Sequence, residues 1–382
     1  MGIHNFEGQL ISTEDRIRDA EYSQRNKDIL FRFENHLFAE GLKTPSILKH
    51  LKLLNLIAQW IDGDLDMATK DDIASIVARV ERSDMSELTK RNYKASIKKF
   101  YSWMEMDYLT SWFKTNIRKG SSKLPEELLT ESDIKKMIDI SNHPRDKAII
   151  SVLYDTGVRI GEMGYMKIKH VSFDQYGAVI TVKGKTGMRR VRIIFSVPYL
   201  AAWLDVHPQK NDPDAYLWVG LGNRAKREQL QYDAFRMLIK RKAREAGIRK
   251  RVYNHLFRHS RSTELAQHLT EAQMEAHLGW VHGSDMPRTY VHLSGKQVDD
   301  ALLKIHGIIK EEDTRPQLSS RKCPRCERMN TPTSSFCSRC GMALDMETAA
   351  SVEEKRSDVA MKLMELVENE PELARLLNQR FD

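Results

Sequence analysis

The chain has 382 residues, a formal charge of +8 and 41% apolar residues. That length corresponds to about two to three domains of ~100–200 residues each, and the apolar share supplies real cores, which excludes a wholly disordered chain. The positive balance favours an anionic partner such as nucleic acid. No apolar run approaches the ~20 residues needed to span a bilayer, and the opening MGIHNFEGQL has no signal-peptide core, so a cytoplasmic location is expected.

The residues up to about Asp15 read as loosely ordered. From Asp15 to Phe113 apolar residues recur at helical spacing. Ile29, Leu30, Phe33 and Leu37 mark one helix, and Ile47, Leu51, Leu54, Ile57, Ala58 and Ile61 a second that Asp62-Gly63 would end. A third covers Ile73–Val80. A fourth starts after Ser86, where Thr89–Trp103 sets Tyr93, Ile97, Phe100 and Tyr101 against basic residues. The mixture suits a helix with one face on a core and the other toward phosphates, and equally an ordinary amphipathic core helix.

Thr115–Pro125 (TNIRKGSSKLP) has linker composition. Thr130-Glu131-Ser132-Asp133 supplies capping chemistry for a helix carrying Ile134, Met137 and Ile138. Another helix runs Pro144–Asp155 and stops at Thr156-Gly157. Between Ser172 and Phe195 the period becomes two. Ala178–Val182 and Arg190–Ile194, separated by Gly184-Lys185-Thr186-Gly187, predict a hairpin in an otherwise helical region. Helices return over Asp233–Ala246, Leu256–His268, Gln273–Leu278 and Ser294–Ile309. Ala349–Phe381 reads as a charged amphipathic helix with Val359, Leu363, Leu366 and Val367 on one face.

Positive charge is concentrated. From Arg236 to Arg261 there are ten Lys or Arg residues (Arg236, Lys240, Arg241, Lys242, Arg244, Arg249, Lys250, Arg251, Arg258, Arg261) against one acid, Glu245. Such a block is a solvated face or a phosphate-contact surface, and its continuation into His255 and Arg258 favours DNA.

Six residues strung along this region carry candidate chemistry: Arg159, Lys185, His255, Arg258, Trp280 and Tyr290. Arg159 follows a glycine turn, with Glu162 three residues on to orient it; the same spacing also describes a plain surface ion pair. His255 and Arg258, three apart, project from one helix face, where a guanidinium can donate two bonds to phosphate and an imidazole can exchange a proton. Lys185 occupies the hairpin turn, where an ammonium could reach a leaving-group oxygen. Its Gly-Lys-Thr setting is not a nucleotide-binding loop, because Val179 stands where that loop needs glycine. Tyr290 has a hydroxyl that is a poor nucleophile without neighbouring cations and a proton acceptor.

The segments YDTGVRIGEM, VKGKTGMRR, NHLFRHSRST, HLGW and RTYVHLS resemble, in order and spacing, the signature of the tyrosine recombinases, the phage integrase and Xer-like family. The resemblance covers about residues 125–310 and, more weakly, the helical N-terminal part. It implies that Arg159 and Arg258 bind non-bridging phosphate oxygens, that Lys185 protonates the departing 5′ oxygen, and that His255 is an acid/base partner. It also implies that Tyr290 forms a 3′-phosphotyrosyl link to DNA, so that catalysis needs neither ATP nor a metal. Many relatives have histidine where this chain has Trp280; indole can donate a hydrogen bond but cannot transfer a proton, so a positioning role is expected there.

All four cysteines fall in two Cys-x-x-Cys pairs, Cys323/Cys326 and Cys337/Cys340, whose spacing suits structural tetrahedral zinc. The module resembles zinc ribbons that follow the catalytic domain in some archaeal integrases.

The fold expected is mainly α (α+β). A helical SAM-like core DNA-binding domain covers residues 15–114, a linker 115–125, and a catalytic domain with a small antiparallel sheet 126–312. A four-cysteine zinc ribbon over 320–345 and an amphipathic helical tail over 348–382 complete the chain. The function expected is site-specific recombination for integration or excision of a mobile element, by a homotetramer on double-stranded DNA. Dimer resolution, type IB topoisomerase-like nicking-closing and non-catalytic regulation are the alternatives.

Overall fold

The computed structural model describes residues 3–116, 125–184, 187–222, 227–291, 302–303, 305–308, 318, 320–332, 334–337 and 339–369. It divides into two compact units, Met1–Ser121 and Ser122–Asp382.

The first unit is helical: α1 (Phe6–Arg18), α2 (Gln24–Ala39), α3 (Thr44–Ala58), α4 (Lys70–Glu81) and α5 (Glu87–Trp103). Phe6–Asp15, expected to be loosely ordered, is instead part of helix α1. The Asn5 side chain caps α1 by accepting from the Gly8 N–H, and Leu10, Thr13 and Ile17 are buried. A threonine in the buried stripe disguised the helical period. The second predicted helix also ends earlier, at Ala58. Buried Asn26 shapes the segment that follows, donating to the Gly63 carbonyl at 3.0 Å and accepting from the Leu65 N–H at 2.7 Å.

On α5, Tyr93, Ile97, Phe100 and Tyr101 are buried as the spacing predicts. Phe100 meets Phe33 edge-on at 5.2 Å. Several α5 cations have acidic partners within the unit: Lys90 with Glu87, Lys94 with Glu81 and Lys99 with Glu40.

The second unit is built around α7 (Pro144–Thr156), which is buried on almost every side. Against it pack α6 (Glu131–Asp139), α9 (Val197–Asp205) and α11 (Asn254–Leu265). Thr130 and Asp133 form a reciprocal capping box on α6. The short α8 (Ile160–Gly164) leads to a three-stranded antiparallel sheet in the order β1 (Val171–Asp174), β2 (Gly177–Gly184), β3 (Gly187–Ile193). The predicted β2–β3 hairpin is present, with Ile180 opposite Val191 and Gly184 opposite Gly187. Strand β1 is an addition: only four residues long and largely exposed, it has too little alternation to read.

Then follow α10 (Tyr232–Glu245), α12 (Glu271–Leu278) and α13 (Met286–Val291). The cysteine module has a two-stranded sheet of β4 (Arg321–Lys322) and β5 (Met329–Asn330), and α14 (Met346–Asn369) comes last. The fold class is thus mainly α with small antiparallel sheets. Most of the predicted linker and of the Ser294–Ile309 helix lies outside the described residues. Among the described residues no helix is long and apolar enough to cross a membrane.

The basic block divides once folded. Arg236, Lys240, Arg241, Arg244, Arg249 and Arg251 are exposed. Lys242 and Arg258 are buried, and Lys250 is bound to Asp133 and to the Leu128 carbonyl.

Phe100, fully buried, tests the first unit's core. Phe100→Ala should cost about 3–5 kcal/mol, read as a lowered urea midpoint at unchanged slope.

Candidate active site

Two helix ends, each closed by a glycine, organise the site. Helix α7 ends at Gly157 with φ +59°, and α12 ends at Gly279 with φ +64°, a left-handed conformation that favours glycine. The last carbonyls of a helix have no partner within it and carry partial negative charge. At α12 three successive carbonyls each receive an arginine. His277 O accepts from Arg189 Nε at 2.8 Å, Leu278 O from Arg258 Nη2 at 2.7 Å and Gly279 O from Arg159 Nη1 at 3.2 Å. Arg258 Nη1 also donates to Gly157 O at 2.9 Å, tying the two helix ends together.

The counter-charge is Glu162, only 4% exposed. Its carboxylate accepts from the Arg159 N–H and Nη1, both at 3.0 Å, and takes a fork from Arg189 at 3.1 and 2.8 Å. Burial opposes its ionisation, but the Arg189 and Arg159 donors outweigh burial and hold the carboxyl below its ordinary range. The pair is therefore not a plain surface ion pair: Arg159 is held from two directions and keeps about a third of its side chain in solvent. Arg258 is 1% exposed. Burial, then the nearby charge of Arg159, brings its guanidinium down to about 10, still a cation at neutral pH.

Tyr290, on α13, is 1% exposed. Its ring stacks on Trp280, centroids 5.3 Å apart and planes 11° from parallel. Arg258 lies 5.5 Å from the centroid of the Trp280 ring. Met274, Leu278, Trp280 and Tyr290 form a small cluster of their own, separate from the main core of this unit. The Tyr290 hydroxyl meets His259 Nδ1 at 2.8 Å. Burial pushes the phenol above its ordinary value, and the charge of Arg258, the Ser262 hydroxyl and the charge of Arg159 pull the other way without overcoming it.

Five of the six predicted residues therefore share this region: Arg159, His255, Arg258, Trp280 and Tyr290. Lys185 lies outside the described residues. His255 and Arg258 do not share an environment despite their spacing, because His255 is exposed and Arg258 buried. The His255 ring abuts His259 edge-on at 4.7 Å. Two other histidines flank Trp280 in sequence: burial, then Arg261, pushes His277 down to about 4, and the exposed His282 is bonded to Glu275 at 2.8 Å.

Sequence reasoning missed Arg189 and His259. Arg189 reads as one of several basic residues on a strand; only the hairpin register places it beneath Glu162. His259 sits one turn beyond His255, a spacing that could have been used.

The four cysteines converge, with their sulfurs all within 4.8 Å of one another. Cys323 pairs across with Cys340 at 3.6 Å and Cys326 with Cys337 at 3.5 Å. A tetrahedron with metal–sulfur bonds of ~2.3 Å has edges of about 3.8 Å, so the donor set fits a four-coordinate ion. The two knuckles repeat one geometry. Glu327 N donates to Cys323 O and Gly341 N to Cys337 O, both at 2.9 Å, and both donors have positive φ (+59° and +71°).

Residues 127–297 match the phage integrase family. Through this domain the chain is similar to the tyrosine recombinases, a class of site-specific DNA recombinase. Among relatives, it is 24% identical over 282 residues to tyrosine recombinase XerA of Pyrococcus horikoshii, covering 73% of this chain and 94% of that protein. It is 26% identical over 259 residues to tyrosine recombinase XerD of Ralstonia nicotianae, covering 62% and 80%. The fold is shared with the XerH recombinase bound to palindromic difH substrate (TM-score 0.56, 20% identity, 79% of this chain and 90% of that one). It is shared equally with the Tn1549 transposon integrase in complex with transposon right end DNA (TM-score 0.56, 16% identity, 73% and 99%).

Removing the counter-charge has a defined outcome. Glu162→Gln should cost about 3–5 kcal/mol, measured by urea unfolding at pH 7. Because the folded carboxyl lies below its ordinary value of 4.5, the stability it lends is present above that pH and is lost as pH falls through the folded value. The wild type should therefore lose its advantage over Glu162→Gln on acidification. Gly279→Ala should also impair the site, because its methyl would stand 2.5 Å from Arg189 Nη1 at a positive φ.

Proposed function

We propose that the protein is a recombinase of the integrase type that cuts and rejoins double-stranded DNA through a 3′-phosphotyrosyl intermediate on Tyr290. The observation that carries this reading is one buried tyrosine stacked on Trp280, whose ring Arg258 also flanks, with Arg258 and Arg159 sharing a helix end. Arg159 and Arg258 would neutralise the non-bridging oxygens and the charge that grows on them in the transition state. Lys185 would protonate the departing 5′ oxygen, His255 would act on the phosphate side as acid or base, and Trp280 would brace Tyr290 through its stacked ring. The phosphate ester to tyrosine conserves the energy of the broken bond, so rejoining needs no nucleotide.

The helical unit carrying residues 15–114 would grip DNA as the core-binding domain, joined by 115–125 to a catalytic domain over 126–312. The exposed cations from Arg236 to Arg251 would contact phosphates. The module at 320–345 would hold a structural zinc through Cys323, Cys326, Cys337 and Cys340, and 348–382 would form its helical tail. The working assembly is a homotetramer on paired sites in the cytoplasm, serving integration or excision of a mobile element. Resolution of chromosome or plasmid dimers is the second reading, favoured by the Xer proteins among the relatives.

A nicked suicide duplex tests the chemistry. Wild-type protein should become covalently joined to the DNA, and Tyr290→Phe should form no adduct. An undiminished adduct in that variant, or none in the wild type, overturns the reading. For the metal, freshly purified protein should contain about one zinc per chain, reduced by Cys337→Ser; less than about half occupancy would count against a structural site.

A further inference from the structure

The geometry points to His259, rather than His255, as the group that takes the proton from the Tyr290 hydroxyl during strand cleavage and returns it on rejoining. This rests on the recombinase reading above and assigns a role in it to a residue outside the six-residue signature.

The direct contact comes first. His259 Nδ1 lies 2.8 Å from the Tyr290 oxygen, within the reach required of a general base. His255 stands one ring further along, its imidazole edge-on to His259 and exposed. The tyrosine ring is fixed on its face by Trp280, and the His259 ring is tilted 35° to it. The hydroxyl is therefore held at both its ring and its proton. For Nδ1 to accept, the neutral imidazole must carry its proton on Nε2.

The need for an acceptor follows from the surroundings. Tyr290 is buried and its phenol is held above the ordinary range, so at neutral pH the oxygen that must attack phosphorus still carries a proton. Arg258 and Arg159 favour the anion but cannot receive that proton, because a guanidinium has no acceptor.

The step balances as follows. As the Tyr290 oxygen bonds to phosphorus, its proton passes to His259 Nδ1. The bond from phosphorus to the 5′ oxygen breaks, and that oxygen takes a proton from a separate donor, the role Lys185 has in the reading above. The covalent intermediate thus holds His259 as an imidazolium. In rejoining, the 5′ hydroxyl attacks phosphorus and gives its proton back to the donor side, and the bond from phosphorus to tyrosine breaks. The departing tyrosine oxygen recovers its proton from His259. Each histidine then has its own partner, His259 the tyrosine and His255 the phosphate side.

Single-turnover cleavage of the suicide duplex separates this from other roles. His259→Ala and His259→Gln should each cleave about 10²–10⁴-fold more slowly, with DNA affinity unchanged. The wild-type rate should rise with pH and level off as an imidazole deprotonates, and both variants should lose that limb. A duplex with a 5′-bridging phosphorothiolate, whose thiolate leaves without protonation, should restore Lys185→Ala but not the His259 variants. Added imidazole should partly restore His259→Gly, which also answers a folding defect in the larger substitutions. Cleavage by His259→Ala within about threefold of wild type, or its rescue by the phosphorothiolate, overturns the assignment while leaving the Tyr290 adduct intact. Failure of the adduct itself would instead overturn the recombinase reading.

Discussion

The carbonyl end of α12 is the interaction on which the site depends. Three consecutive carbonyls, at His277, Leu278 and Gly279, face three guanidiniums. A hydrogen bond from a charged donor contributes about 1.5–3 kcal/mol, and the helix dipole adds to the attraction. Without that end and without Glu162, crowded cations would repel one another in a medium that screens poorly. The two glycines are part of the same device. A side chain at 157 would press on Leu278 and one at 279 would strike Arg189, so the left-handed turns also clear the space the arginines occupy.

This arrangement exists before any DNA arrives. Arg258 is fixed by two backbone carbonyls and Arg159 by a carboxylate and a carbonyl. Donors so fixed need little reorganisation when charge develops on a phosphate, which is where preorganised electrostatics contribute most to rate. Arg189 belongs to this logic although it lies behind the others: it neutralises Glu162, which in turn steers Arg159.

Much of this was legible in the sequence. The helix stops at Gly157 and after Leu278, the β2–β3 hairpin and the paired cysteine knuckles are local signals, and each depends on neighbours within a few residues. The reading failed where tertiary context decided. Arg189, Arg190 and Arg192 are indistinguishable as a basic strand, yet Arg189 turns inward to Glu162 while Arg192 meets Asp174 on the surface. The basic block read as one surface, but Lys242, Arg258 and Arg261 turn inward, Arg261 to the Asp155 carbonyl and to Glu264. The His-x-x-Arg spacing drew attention to His255, whereas the contact with the tyrosine belongs to the histidine one turn later. Helix α1 was hidden by its polar composition and declared by its Asn5 cap.

The small cluster beneath Tyr290 has a consequence for how the enzyme would respond to stress. The main core of the second unit runs from Leu128 to Leu318, but the tyrosine rests with Met274, Leu278 and Trp280 outside it. Segments with few apolar contacts open at a lower free energy than the body that carries them. Among the described residues, lifting α13 disturbs that cluster and the His259 hydrogen bond rather than the main core. The packing of Tyr290 and the integrity of the main core are thus separate equilibria, the first the easier to disturb.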